Sequence, residues 1–220
     1  MKIAIISDIH GNLTALNTVL EEIGDMRILC CGDIVGYNPW PNEVIEIVIN
    51  KKIASVMGNH DFATVIGNTS DFNPIAARAI EWTIEKIMED NIEFLKSLPL
   101  KYNDENFVIV HGSPRDQLNE YVYPEHPYIE SFLEDITQDI LILGHTHIPF
   151  VKRFSDKVIL NPGSVGQPRD GNPYASYAIL DAEKKEVDIK RVKYDIEEVA
   201  DRIIKECLPV ELAMRLFHGF

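Results

Sequence analysis

Three short apolar runs near the N-terminus, KIAIIS (2–7), MRILCC (26–31) and IASVM (53–57), constrain the fold more than any other feature of the sequence. Each is continuous rather than alternating, which is the pattern of a strand buried on both faces. Between them lie segments with apolar residues at helical spacing. LTALNTVLEEI (13–23) follows Asn12, a suitable N-cap, and NEVIEIVIN (42–50) follows Pro41, which suits a first helical turn. Strand, helix, strand, helix, strand is the order of an α/β fold with parallel pairs.

Further along, residues 74–98 predict a long helix followed by a shorter one, and FVIV (107–110) and ILIL (140–143) predict strands with a helix near 127–137 between them. After His147, PFVKRF, KVILN, ASYAILD and KEVDIKRVKY read as strands with short connections, which suggests a second, more antiparallel sheet. Helices near 195–207 and 212–217 close the chain. With 220 residues, no linker and no internal repeat, one domain spanning 1–220 is expected, with the helices of about 195–220 packed on it.

Three cysteines, two of them adjacent at Cys30 and Cys31, argue against a disulfide framework and for reduced thiols. No apolar run approaches a membrane span, and the N-terminal patch is too short for a signal segment. A soluble, cytoplasmic protein with no membrane partner is expected. The formal net charge of −14 repels polyanions and weighs against nucleic acid as a partner. Small anionic substrates stay admissible, because bound cations reverse the sign inside one pocket. Oligomeric state has no signature in the sequence.

Each of the five strands through residue 143 ends in the same class of residue. KIAIIS leads into Asp8-Ile9-His10, MRILCC into Gly32-Asp33, and IASVM into Gly58-Asn59-His60-Asp61. FVIV leads into His111-Gly112 and ILIL into Gly144-His145-Thr146-His147. Of seven histidines, only His126 and His218 fall outside these segments, so the distribution is not that of filler. In an open α/β sheet, ligands bind beyond the carboxyl ends of the strands, so five such segments can share one crevice. On extended backbone, Asp8 with His10, and His145 with His147, would each point to one side. Imidazole and carboxylate donors suit borderline divalent ions, and about seven of them suit two ions better than one.

The blocks D-x-H, G-D, G-N-H-D, H-G and G-H-T-H, in this order, resemble the calcineurin-like metallophosphoesterases. GDIVGYNPWPNEV and NPGSVGQPRDG look similar to a subgroup of small prokaryotic phosphodiesterase-like proteins, and the resemblance runs from Lys2 to about Tyr194. It implies a four-layer αββα sandwich, mixed sheets flanked by helices. It also implies a hydrolase of phosphoric esters, phosphodiesterase or phosphatase, that uses two divalent ions and a metal-bridging hydroxide as nucleophile. Manganese is the first expectation for the ions, with Ni²⁺, Fe²⁺, Co²⁺ and Zn²⁺ also suited. By the same resemblance Asp8, His10 and His147 hold one ion, Asn59, His111 and His145 hold the other, and Asp33 bridges both. His60 would face the leaving group, with Asp61 orienting its ring.

Two residues are candidates for binding substrate. Arg169 suits a phosphate clamp, because guanidinium matches two phosphoryl oxygens at once. Asn12 would reach the substrate phosphate, or serve only as a helix N-cap. Tyr37, Trp40, Tyr121, Tyr123 and Tyr128 are placed either to stack on a substrate base or to cover the sheet edge. The implied partner is a small phosphoester, a nucleotide among the candidates. A non-catalytic scaffold of the same fold is the competing class, and a nuclease a third; against the scaffold, no donor is missing here.

Overall fold

A computed structural model describes residues 2–220 of the chain. Ten strands form two five-stranded sheets. In the first, β1 (Lys2–Ile6) pairs in parallel with β2 (Arg27–Cys30), which pairs in parallel with β3 (Ala54–Ser55). In the second, β5 (Phe107–Val110), β6 (Ile140–Ile142) and β8 (Lys157–Asn161) run parallel, and β4 (Lys101–Asn103) and β7 (Phe150–Phe154) add antiparallel edges. The strands after His147 do not build a sheet of their own. β7 and β8 extend the second sheet, whereas β9 (Ala175–Asp181) and β10 (Glu186–Val192) pass to the first, where β9 pairs antiparallel with β1. Their alternation signalled strands, but period alone carries no information on which edge a strand joins.

The continuous apolar runs follow from burial on both faces. In β1, Ile3 and Ile5 face the second sheet, and Ala4 and Ile6 face the helices. In β5, Phe107 and Ile109 turn inward while Val108 and Val110 turn outward; β6 repeats this with Ile140 and Ile142 against Leu141. The inner residues of both sheets make one core, and two further cores cover the outer faces. The layers are therefore helices, sheet, sheet and a thinner helical cover, as expected of an αββα sandwich.

The outer face of the first sheet is covered by α1 (Leu13–Ile23), α2 (Pro41–Asn50), α4 (Pro74–Lys86), α5 (Glu89–Lys96), α6 (Ile196–Lys205) and α7 (Val210–His218). Val199, Ile203, Leu212 and Leu216 of the last two helices lie in the same core as Leu16 and Val44. The outer face of the second sheet carries only a 3₁₀ stretch, Ile129–Asp135, instead of the longer helix expected near 127–137. Ile129, Phe132 and Leu133 still bury there, which explains the helical spacing in the sequence.

Two other differences matter for the site. The run 53–57 forms only a two-residue strand, because Asn59 already opens a further helix, α3 (Asn59–Ile66). Asp61 stabilises that helix start by accepting from the Gly58 amide at 3.0 Å. None of the described helices is long and apolar enough to cross a membrane.

Candidate metal centre

The carboxyl ends of β1, β2, β3, β5 and β6 meet at one edge of the sandwich, and the loops leaving them interlock through their backbones. The amides of Asp8 and His10 donate to the carbonyls of Gly32 and Asp33 at 3.0 and 2.9 Å, and the Gly144 amide donates to the His111 carbonyl at 2.9 Å. The approach is close enough to exclude side chains: a Cβ at Gly58 would fall on the Asp33 carboxylate and backbone.

The conformation in these loops is not the extended one that the sequence spacing suggested. Asp8, His10, Asp33, His145 and His147 all have left-handed backbones, with φ of 52°, 49°, 54°, 67° and 59°. A side chain in that region costs of order 1 kcal/mol or more, and it persists only where surrounding bonds hold it. Here the interlocked loops do so. The paired residues still converge, but by tertiary constraint rather than by strand geometry.

Two groups of donors result, with Asp33 common to both. Asp8, His10, Asp33 and His147 each bring a ligating atom within 4.8 Å of one another, and Asp33, His111 and His145 do the same. Asn59 joins the second group through its Oδ1, 3.1 Å from His111 Nε2. Asp33 Oδ2 lies 3.5 Å from His10 Nε2 and 3.4 Å from His111 Nε2, and Asp8 Oδ1 lies 3.4 Å from His147 Nε2. Six of these donors are essentially buried, and Asn59 is at 9% exposure.

The hydrogen bonds behind the rings decide which nitrogen faces inward. His10 Nδ1 donates to the Val35 carbonyl at 3.0 Å, His111 Nδ1 to Cys31 at 2.8 Å, and His147 Nδ1 to Gln167 at 2.6 Å. His145 is turned the other way, its Nε2 donating to the Asn119 carbonyl at 3.2 Å, so its Nδ1 faces the cluster. Each carbonyl fixes a tautomer and raises the basicity of the opposite nitrogen.

Burial pushes His10 and His147 well below the usual imidazole range, so both rings are neutral, with bare Nε2 lone pairs. These two Nε2 atoms lie 3.0 Å apart. Two acceptors at that distance repel unless a cation sits between or beside them. The buried Asp8 Oδ2 and Asp33 Oδ2 likewise have no hydrogen-bond partner among the described residues. Burial would raise the Asp33 carboxyl, but the facing His111 ring outweighs it and holds it well below the carboxylate range. Its charge in turn overcomes the burial of His111 and holds that ring up at about 9. Bare nitrogens, orphaned carboxylate oxygens and an ionised shared carboxylate fit a pair of divalent cations.

His60 lies over this floor, its ring centroid 4.7 Å from that of His10. Burial lowers it to about 4. Its Nδ1 is sealed beside Gly36 with no partner among the described residues, which leaves Nε2 for the cavity that His60 lines. Asp61 does not orient this ring as expected. Its Oδ1 accepts from the Ile34 and Val35 amides at 2.9 and 3.1 Å and its Oδ2 from Gly58, so it clamps the Asp33 loop to the start of α3.

Asn12 is likewise turned away from the cavity. Its Oδ1 caps α1 at the Ala15 amide, its Nδ2 donates to the Gly166 carbonyl, both at 3.0 Å, and the side chain is buried. The N-cap reading replaces the substrate reading. Arg169 does line the cavity, where it donates to the Tyr37 hydroxyl at 3.1 Å.

The cavity has a volume of about 450 Å³ and opens over Asp33, Asn59, His60, His145, His147 and Arg169. Tyr121 closes one side, its ring 3.8 Å from that of His145, with Tyr123 stacked behind it. Tyr128 lies in a separate groove with Phe154 and Lys157, and Trp40 packs into the helical core. Asp71, Phe72 and Asn73 form the opposite wall. These three were missed in the sequence, since they follow no strand; the one local signal is Asn73, which caps α4 ahead of Pro74.

Comparisons with known proteins agree with this fold. Residues 1–185 match the calcineurin-like phosphoesterase superfamily domain. The crystal structure of a metallophosphoesterase from Sphaerobacter thermophilus superposes with a TM-score of 0.90 at 37% identity, covering 100% of this chain and 99% of that one. An uncharacterized protein of Methanocaldococcus jannaschii is 40% identical over 99% of this chain and 98% of its own. The phosphodiesterase YfcE of Escherichia coli K12 is 28% identical over 82% of this chain and 88% of its own.

Proposed function

Because the chain belongs to the calcineurin-like phosphoesterase superfamily, whose members are metal-dependent phosphoester hydrolases, we propose that its strand-end cluster is a binuclear centre that hydrolyses small phosphoric esters. The observation that carries this reading is Asp33 Oδ2, a buried, unpartnered carboxylate oxygen that lies between both donor groups. Asp8, His10 and His147 would hold one ion, Asn59, His111 and His145 the other, and Asp33 would be shared. When bound, two such ions supply positive charge for the phosphoryl oxygens and the hydroxide that attacks phosphorus. Manganese stands first among the metals, and the mixed N/O donor set also suits nickel, iron, cobalt and zinc.

The remaining steps belong to the side chains. The carbonyls behind His10, His111 and His147 fix which nitrogen of each ring faces the cluster, and ligation would require His111 to give up the proton that Asp33 holds on it. His60, neutral in its buried setting, would keep its Nε2 proton and donate a hydrogen bond through it to the leaving oxygen, stabilising the charge that develops there. Arg169 would pair with the outer phosphoryl oxygens. A cavity of about 450 Å³ admits a substrate of nucleotide size.

The experiment is hydrolysis of bis-p-nitrophenyl phosphate and p-nitrophenyl phosphate by metal-stripped protein resupplied with Mn²⁺, Ni²⁺, Co²⁺, Zn²⁺ or Mg²⁺, wild type beside Asp33→Asn. Metal-dependent turnover is expected in the wild type. Asp33→Asn should lose more than the roughly hundredfold that removing a residue behind a ligand costs. Full turnover in Asp33→Asn would overturn the shared-carboxylate mechanism.

A further inference from the structure

We propose that Tyr37 is a second phosphoryl-binding residue, its hydroxyl donating a hydrogen bond to the same anionic group that Arg169 clamps. The proposal deepens the hydrolase reading, from which it takes its ligand, a phosphoric ester; its test is phosphate binding, which does not require turnover.

Tyr37 follows Gly36 in the loop after β2, with a left-handed φ of 51° and only 4% exposure. Its ring is wedged between metal-side groups, with centroids 4.6 Å from His10 and 4.5 Å from His60. A phenylalanine would fill that wedge equally well, so packing does not account for the hydroxyl. The hydroxyl oxygen accepts from Arg169 Nη2 at 3.1 Å. The same Nη2 donates to Gln167 Oε1 at 3.0 Å, and Arg169 Nε reaches that oxygen at 3.4 Å. The Arg169 amide donates to the His147 carbonyl at 3.3 Å, so the guanidinium is tied to the centre through its backbone as well as its side chain.

These bonds leave specific donors over. A guanidinium has five N–H donors and a phenol one O–H donor. Among the described residues, no protein acceptor takes the Nη1 hydrogens of Arg169 or the hydroxyl hydrogen of Tyr37, and both residues line the cavity. The arginine thus holds the phenol oxygen as an acceptor and turns its hydrogen away from the guanidinium. A charged donor and a neutral donor, both fixed before substrate arrives, suit one phosphoryl group. Gln167 is the positioning residue of the pair: its side chain steadies Arg169 while its carbonyl holds His147.

The test is isothermal titration of inorganic phosphate into metal-loaded wild type, Tyr37→Phe, Arg169→Gln and the double variant. Metal per chain and Tm are measured in parallel, and kcat and KM are measured for bis-p-nitrophenyl phosphate. Tyr37→Phe should weaken phosphate about tenfold, the worth of one hydrogen bond to a charged group, with metal content and Tm unchanged. The effect should be smaller in the Arg169→Gln background, since the phenol has lost the neighbour that turns it. Wild-type phosphate affinity in Tyr37→Phe would overturn the proposal. If Tyr37→Phe loses metal or unfolds, the partly buried Arg169 decides: unchanged phosphate affinity in Arg169→Gln overturns the paired device. A wild type that binds phosphate through Tyr37 but hydrolyses neither ester would refute the hydrolase reading and leave this one standing.

Discussion

The floor and the walls of the cavity are built on opposite plans. On the floor, the rings of His10, His111, His145 and His147 each bond a backbone carbonyl, and Asp33 Oδ1 accepts from the His60 amide at 2.9 Å. On the walls, Phe72 touches the ring of His60 edge-on at 5.0 Å, and Tyr121 and Tyr123 stack on one another at the exposed rim. Backbone anchors hold each donor in one place, whereas the walls meet the floor through ring contacts, Phe72 on His60 and Tyr121 on His145. In the hydrolase reading proposed above, the floor would set which bond is broken and the walls which ester reaches it.

The largest test of that division is His60→Gln. Loss of the group proposed to face the leaving oxygen should lower kcat by about 100- to 10,000-fold. Bound metal should stay at the wild-type level, because His60 belongs to neither donor group. Metal loss in this variant, measured by elemental analysis, would place His60 on the floor as a ligand instead.

Asp61→Ala comes next and acts on the fold. It removes the acceptor for three backbone amides, those of Ile34, Val35 and Gly58. The expected loss is about 3 kcal/mol, a fall in Tm of roughly 10 °C. If thermal melting were unchanged while turnover fell as in His60→Gln, Asp61 would act on the ring after all.

A wall residue should behave differently again. Phe72→Ala should change the ratio of diester to monoester hydrolysis by about tenfold, the scale on which apolar walls discriminate. Metal content should not move. An equal loss on both esters would mean that Phe72 acts only through His60, and the division between floor and wall would fail there.

The smallest effect is a control outside both regions. Lys185 Nζ pairs with Asp139 at 2.8 Å on the surface, and its hydrogen bond lowers the Asp139 carboxyl. A depressed carboxyl stabilises the fold above its unfolded pKa, and that contribution is lost as pH falls through the folded value. Lys185→Met should cost no more than about 0.5 kcal/mol at pH 7, vanishing in acid, with turnover untouched. A larger loss in denaturant titration would mean that this exposed pair counts for more than its setting allows.

How far the sequence could be read follows the same division. The convergence of Asp8, His10, Asp33, Asn59, His111, His145 and His147 was legible because each stands just after an apolar run, where chain order and residue chemistry coincide. The left-handed backbones that aim five of them were not legible. Nothing in D-I-H or H-T-H calls for positive φ; the bonds between loops impose it. Asp61 was assigned to the ring of His60, but its oxygens serve the Gly58 amide and those of Ile34 and Val35, and the last two become its neighbours only in the folded chain; for Asn12 a substrate role and an N-cap role both stood open, and the cap on the nearby Ala15 amide is the one found. α3 was hidden because its first turn carries the strand-end motif G-N-H-D. Phe72 was hidden for the opposite reason, as a single aromatic in a polar turn. Tyr128 resembled Tyr121 in sequence and lies in another groove.

The most direct test of the central claim is to titrate Mn²⁺ into metal-stripped protein, following bound metal per chain and hydrolysis of bis-p-nitrophenyl phosphate in the same samples. The shared Asp33 predicts turnover that rises to its maximum as occupancy approaches two ions per chain. Two bound ions with no hydrolysis of any ester, or full hydrolysis with fewer than two, would contradict it.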